Sequence, residues 1–341
     1  MGKIALAFLP AFVALSIVGC VQDQTDQSTV VFSDPRQDQA NQSEVVFSDP
    51  RQDQADQSIV VFSDPNLDAA IREAIDKPDG TINASDLEGL ESLSLSGYDI
   101  TDISTLSKCT NLKELYLVGH IRMYSPSADD SDQNSGLTEL PPFIKPMDIS
   151  PLSELTNLKV LYLSFNDITD ISPLSGLTNL EVLRLDYNWI KDISPLSGLT
   201  NLTELDLSAN WITDVSPLSE CTNLTYLNLA GNRITDLSPL SELTNLASLD
   251  LSVNPITDVS TLSGLTKLKE LDLRGNQIKD VSQLSEFTSL KKLDLLDNQI
   301  KDASQLSGLT NLTRLDLSGN PITDKSQLSG LKENQSVYIS W

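Results

Sequence analysis

Leu177-Thr-Asn-Leu180-Glu-Val-Leu183-Arg-Leu185-Asp-Tyr-Asn188-Trp-Ile190-Lys-Asp-Ile193-Ser-Pro-Leu196-Ser-Gly198 is one copy of a 22-residue unit. Written L-T-N-L-x-x-L-x-L-x-x-N-x-I-T-D-I-S-P-L-S-G, it also starts at Leu155, Leu199, Cys221, Leu243, Leu265, Phe287 and Leu309, eight copies ending at Gly330. Leu180, Leu183, Leu185, Ile190, Ile193 and Leu196 are apolar at fixed positions, more than so short a unit can bury by itself. Neighbouring copies must therefore cover one another, which predicts a solenoid. From Glu181 to Asp186 the pattern alternates, with Leu183 and Leu185 on one side and Val182, Arg184 and Asp186 on the other. That is a half-buried strand, and stacked copies predict a parallel sheet.

The polar positions repeat as strictly. Asn188 recurs as Asn166, Asn210, Asn232, Asn254, Asn276, Asn298 and Asn320. An amide carries donors and an acceptor, so such a column can satisfy backbone groups where the chain turns inward after each strand. Ser194-Pro195 reads as an N-cap followed by proline at the first helical position, opening a short helical turn opposite the strand. The Asn, Asp and Ser columns are thus read as architecture. The unit resembles the 22-residue bacterial leucine-rich repeat of internalin-like surface proteins. That resemblance implies an α/β solenoid: a right-handed superhelix with its parallel sheet on the concave face, short helical turns on the convex face and a helical N-terminal cap.

Working outward, residues 87–330 make ten repeats. Leu87 opens the first, with Tyr98 in place of the ladder Asn. Cys109 opens the second, with His120 in that place, and an insertion spans about 121–147 before the pattern resumes at Asp148. Residues 331–341 supply a closing half-repeat, Val337 and Ile339 matching the inward strand positions. On the other side, residues 60–86 read as the cap. Asp64-Pro65 opens a helix, and Leu67, Ala70, Ile71, Ala74 and Ile75 form one apolar stripe. F-S-D-P-N-L-D-A-A-I-R-E-A-I also resembles the caps that precede these bacterial repeats.

Residues 21–59 are a Gln-, Asp- and Ser-rich tether built from 15-residue repeats carrying V-V-F-S-D-P. Their low hydrophobicity favours disorder, the rival reading being extra strands on the solenoid. Residues 1–20 read as a signal peptide, with Lys3 before an apolar run. Its end, Ile17-Val18-Gly19-Cys20, resembles a lipobox. The resemblance implies cleavage before Cys20, lipidation of Cys20 and a membrane-anchored, extracytoplasmic protein. Cys109 and Cys221 share the first repeat position several strands apart. At about 4.8 Å per strand that exceeds the roughly 7 Å a disulfide allows, so both are read as small buried hydrophobes.

The formal net charge of −25 argues against nucleic acid, whose phosphates need Lys and Arg. No Ser/His/Asp set, phosphate loop or carboxylate pair stands apart from the repeating Asp, so the chain is read as no enzyme, with no cofactor and no metal. His120 is read as a ladder substitute, and Asp129, Asp130 and Asp132 as a solvated loop, since neither the Gly nor the distal Glu of an EF-hand is there. The strand-centre column runs Ser94, Tyr116, Tyr162, Arg184, Asp206, Asn228, Asp250, Asp272, Asp294, Asp316: mixed and aromatic, then acidic. Phe165, Tyr187, Trp189, Trp211 and Tyr226 lie near it. Aromatics are only 5% of the chain and the leucine core does not need these. Tyr, Trp and Arg anchor interfaces, so the eight residues Tyr116, Tyr162, Phe165, Arg184, Tyr187, Trp189, Trp211 and Tyr226 are the candidate partner-binding set. The expected function is a monomeric, surface-held module binding a protein through its concave face. The alternatives are a glycan-binding adhesin and a spacer without a dedicated ligand.

Overall fold

The computed structural model describes residues 58–119, 145–333 and 337–341. Among them, eleven three-residue strands, from β1 (Ser92–Ser94) to β11 (Tyr338–Ser340), form one parallel sheet in strict sequence order. Each strand pairs with the next without stagger, so Leu161, Leu183 and Leu205 lie side by side, as do Tyr162, Arg184 and Asp206. This is the solenoid that the 22-residue period predicts. The strand leucines are buried and their flanking residues partly exposed, as in β4 (Val182–Arg184). Repeat leucines and isoleucines from Leu87 to Leu331 join one continuous core.

Four polar columns hold the backbone where leucines cannot. In the first, Asn188 Nδ2 donates to the Leu163 carbonyl of the preceding repeat (2.9 Å) and to Leu185 of its own (3.0 Å), while Oδ1 accepts from Ile168 N–H (2.9 Å). Asn210, Asn232, Asn254, Asn276 and Asn298 repeat this pattern in full. Asn166 and Asn320 carry it toward the two ends. A second amide column was not read from the sequence: Asn157, Asn179, Asn201, Asn223 and Asn245 each donate to a threonine carbonyl one repeat back at 2.9 Å. Its only sequence signal is the N of L-T-N-L, replaced by Lys267 and Ser289 in two copies.

The third column corrects the Ser–Pro expectation. The convex turns are 3-10 helices in which the serine is the first helical residue, as in Ser194–Leu196, and the preceding position has no side-chain cap bond. The aspartate two residues upstream does the capping: Asp192 Oδ1 accepts Ser194 N–H at 2.8 Å, and Asp102, Asp148, Asp170, Asp214 and Asp236 do the same. A short Asx side chain reaching the N–H two residues on is the local geometry that these residues favour. That backbone bond, then the serine hydroxyl, lowers the Asp192 carboxyl below its ordinary value. The fourth column is on the sheet. Asp206, Asp250, Asp272, Asp294 and Asp316 each accept the N–H two residues on, at 2.9–3.1 Å, and Asn228 does the same. The acidic stripe is therefore a row of strand-ending turns.

The cap helix α1 (Pro65–Ala74) has Asp64 as N-cap and buries Leu67, Ala70 and Ile71. Ala74 is exposed because the helix ends there, with Ile75 as C-cap. Val60 N–H donates to Ile82 and Ala84 N–H to Ser58, with an antiparallel bridge between Ile59 and Asn83. Asp64 is buried and also accepts Thr101 N–H (2.7 Å), Thr101 Oγ1 (3.0 Å) and Asp102 N–H (3.2 Å) from the first repeat. Tyr98, standing where a ladder Asn would be, donates its hydroxyl to Glu73 at 2.7 Å. Cap and array are thus joined by polar bonds as well as by apolar packing. At the other end, Ile339 pairs in register with Leu315, as its sequence position predicts.

Candidate functional site

The strand-centre column faces away from the core on the concave side. Tyr116 and Tyr162 meet edge to face, 4.9 Å between centroids and 74° between planes. Arg184 lies 5.7 Å from the Tyr162 ring and 5.2 Å from the Tyr226 ring. Its guanidinium reaches Asp206 at 3.3 Å and Glu204 at 3.4 Å. Asp206, only 7% exposed, is further held by the Asn228 amide at 3.2 Å. Phe165 and Tyr187 stack at 4.3 Å and 12°. The sheet register brings these six candidate residues, all partly exposed, together: Tyr116, Tyr162, Arg184 and Tyr226 on strands of the sheet, Phe165 and Tyr187 in the turns that follow two of them.

The two tryptophans are a correction. Trp189 is 3% and Trp211 5% exposed, packed edge to face at 5.0 Å as a small core of their own. Trp189 Nε1 donates to Asp167, while Lys191 and Arg233 lie over the Trp211 ring, each at 4.8 Å. They sit one residue past the ladder Asn, on the flank of the array, and serve neighbouring repeats. With that burial they present little surface to a partner.

Two local rules are broken where the exposed candidates sit. The strand-centre position carries a turn-closing Asp or Asn in the six repeats from Asp206 to Asp316, and Tyr116, Tyr162 and Arg184 have no side-chain acceptor that can make that bond. The residue before the ladder Asn is left-handed, φ between 51° and 88°, at Gly97, Phe165, Tyr187, Ala209, Gly231, Val253, Gly275, Asp297 and Gly319. Glycine adopts that conformation freely, whereas a bulky residue costs about 1 kcal/mol or more. Phe165 and Tyr187 bear that cost beside two of the three lost turn bonds, at Tyr162 and Arg184, so that both costs coincide in the third and fourth repeats, whereas Val253 bears the left-handed cost alone in the seventh. Such departures from otherwise consistent rules gather at functional sites. The positions were visible in the sequence, but their cost was not, because it lies in φ and in a hydrogen bond.

Burial also perturbs one carboxylate of the acidic column. Asp272 is pushed up to about 6, first by burial and then by Asp250, against the pull of its own turn bond and of Arg274. The Arg274 guanidinium stands 2.6 Å away and is outweighed. An acid raised on folding binds more protons folded than unfolded between about pH 4 and 6, so its contribution to stability falls as pH rises through that window. Asp272→Asn should therefore stabilise the fold at pH 7.5 by about 1–2 kcal/mol, allowing for its partial exposure, and give no gain at pH 4. Thermal melts of both forms at the two pH values test this; an equal effect at both would remove the electrostatic account. Cys109 and Cys221 are buried and unbridged, and burial pushes their thiols up to about 12 and about 11.

Among the described residues no group of three or more His, Cys, Asp and Glu is arranged to hold a metal, and no helix is long and apolar enough to cross a membrane. The lipidation candidate Cys20, the tether before Ser58, His120, and the insertion as far as residue 144 lie outside the described residues.

A family model described as leucine-rich repeats (2 copies) matches residues 156–198, 178–220, 200–242, 244–286 and 288–332. Among solved structures, an internalin from Listeria monocytogenes str. 4b F2365 is 32% identical over 82% of this chain and 95% of that one, with a TM-score of 0.59. A leucine-rich repeat protein of Leptospira interrogans is 23% identical over 75% and 73%, with a TM-score of 0.50. A plant peptide hormone receptor, solved in complex with RGF2, is 21% identical over 76% and 41%, with a TM-score of 0.58. The last two are similar in fold alone. No curated protein sequence matches the chain.

Proposed function

Since the chain belongs to the leucine-rich repeat family, we propose that it is a non-enzymatic module that binds a protein through the concave face of its second to sixth repeats. The observation that carries this is the coincidence of broken local rules with aromatic and Arg side chains at Tyr116, Tyr162, Phe165, Arg184 and Tyr187. Rigid aromatics with few rotatable bonds, beside an Arg already held in place, bind with little loss of side-chain freedom. A protein ligand is favoured over a glycan because Arg184, held against the Tyr162 ring, shares this face with the Phe165–Tyr187 stack, and Tyr with Arg is the residue mix that anchors protein interfaces. By the same reading the module is anchored outside the cytoplasm through a lipid on Cys20, supported by the lipobox resemblance, with two or more acyl chains giving stable attachment.

Immobilised protein should capture its partner from surface extracts, and Tyr116→Ala/Tyr162→Ala/Arg184→Ala should weaken capture about a hundredfold or more, since anchor residues contribute about 2 kcal/mol each. Asp250→Asn/Asp294→Asn should leave capture unchanged. Equal capture by all three forms would end the proposal, and loss of glycan-array binding by the triple variant would transfer the face to sugars.

A further inference from the structure

Within the proposed binding face, the Asp186 carboxylate forms no ion pair among the described residues. Asp186 follows Arg184 by two residues on the outward side of the fourth repeat, and the ladder bonds Leu185 N–H to Asp206 and Tyr187 N–H to Ser208 keep that segment in register. Its Oδ1 accepts the Ser164 hydroxyl of the preceding repeat at 2.6 Å. No Lys, Arg or His among the described residues lies within ion-pairing distance of it, because Arg184 is turned to the next strand, onto Asp206 and Glu204. Burial raises the Asp186 carboxyl above its ordinary value against the Ser164 bond, and the Asp206 charge adds to the rise. The residue is half-buried and still reachable.

Asp186 also separates two aromatic groups. Tyr162, with Arg184 against it, stands before Ser164 and Asp186 along the chain, and the Phe165–Tyr187 stack stands directly after them. A carboxylate between aromatic side chains is the setting that recognises an organic cation: the rings attract it through their quadrupoles and the carboxylate through its charge. Resting on the reading of this face as a protein-binding surface, we propose that the partner places a lysine or arginine side chain against Asp186, between Tyr162 and Tyr187. The partner is committed to be a protein because both aromatic groups extend along neighbouring strands, wider than one small cation covers, and because a chain of net charge −25 attracts basic proteins.

The test pans a random linear-peptide phage library on the full chain at neutral pH, followed by calorimetry of the selected peptides on wild type, Asp186→Asn and Tyr162→Ala/Tyr187→Ala. Asparagine keeps an oxygen for the Ser164 hydroxyl, and a circular dichroism melt checks that the array stands. Selected peptides should carry Lys or Arg. Their affinity should fall tenfold or more on Asp186→Asn, and alanine in place of the basic residue should cost the same on wild type but nothing further on the variant. Peptides that need the two tyrosines yet bind Asp186→Asn undiminished overturn the cation assignment and leave the face intact. Peptides indifferent to the tyrosines overturn the binding face itself. An empty selection overturns the assignment, as does choline binding wild type through Asp186 when no peptide does, which would make the ligand a free small cation.

Discussion

Asn188→Ala should destabilise the array by about 3–5 kcal/mol, the largest loss expected from any single polar side chain here. The side chain is fully buried and bonds two repeats together. Without it the Ile168 N–H loses its acceptor, and the carbonyls of Leu163 and Leu185 lose a donor. Each buried polar group stranded in this way costs about 1–3 kcal/mol, and the alanine leaves too small a space for water to serve them all. In a stacked array the loss falls on the interface between neighbours, so the effect is to weaken the joint between the third and fourth repeats. At about 2–4 °C per kcal/mol for a domain of this size, the melting temperature should fall by roughly 10 °C. Asn320→Ala is the comparison: it is partly exposed near the end of the array, and should cost about half as much. Equal losses at the two positions would show that burial and bridging are not what the ladder supplies.

Asp64→Ala should cost about 3 kcal/mol and detach the cap. One carboxylate accepts Asn66 N–H (2.8 Å) and Leu67 N–H (3.1 Å) at the start of α1, and on its other oxygen Thr101 N–H, the Thr101 hydroxyl and Asp102 N–H. An ordinary N-cap loss is about 1 kcal/mol; the remainder comes from the three part-buried bonds to Thr101 and Asp102 that join the cap to the first repeat, lost together with the buried Asp64 carboxylate. Asp64→Asn should be nearly as damaging, because its NH2 would point at further donors. Burial alone would raise this carboxyl, but the N–H groups of Thr101, Leu67 and Asn66 and the Thr101 hydroxyl together lower it. An acid lowered on folding stabilises above its unfolded value of 3.8 and loses that contribution as pH falls through the folded value. The wild-type cap should therefore loosen only below about pH 4, while both variants are loose at neutral pH. Hydrogen exchange of residues 65–75 follows the cap directly; wild-type protection in the alanine variant at pH 7 would refute this role.

The solenoid was legible because its cause is periodic: leucine spacing fixes both the strand face and the stacking, and no long-range information is needed. The Asn188 series was legible for the same reason. Asp192 was misread in favour of Ser194, since both residue types cap helices and only geometry says which oxygen reaches the free N–H. Trp189 and Trp211 were misread because the flank of the array is not part of the leucine pattern, so nothing in their spacing announces a second small core. The aspartates from Asp250 to Asp316 looked like a charged face and are turn closers. That reassignment isolates Tyr116, Tyr162 and Arg184 as the positions where architecture was given up.

The unstaggered register of the sheet has a metrical consequence. Side chains of one column recur about every 4.8 Å across the strands, while an extended polypeptide lying along the column offers a same-side residue about every 6.7 Å. The two rulings coincide closely only about every seven repeats, in the manner of a vernier, whereas a helix with its 5.4 Å pitch drifts by only about 0.6 Å per repeat and stays nearly in phase over two. An extended ligand laid along this face can thus be matched closely at one short stretch. A helical one can be matched turn by turn over adjoining repeats, such as those of Tyr162 and Arg184.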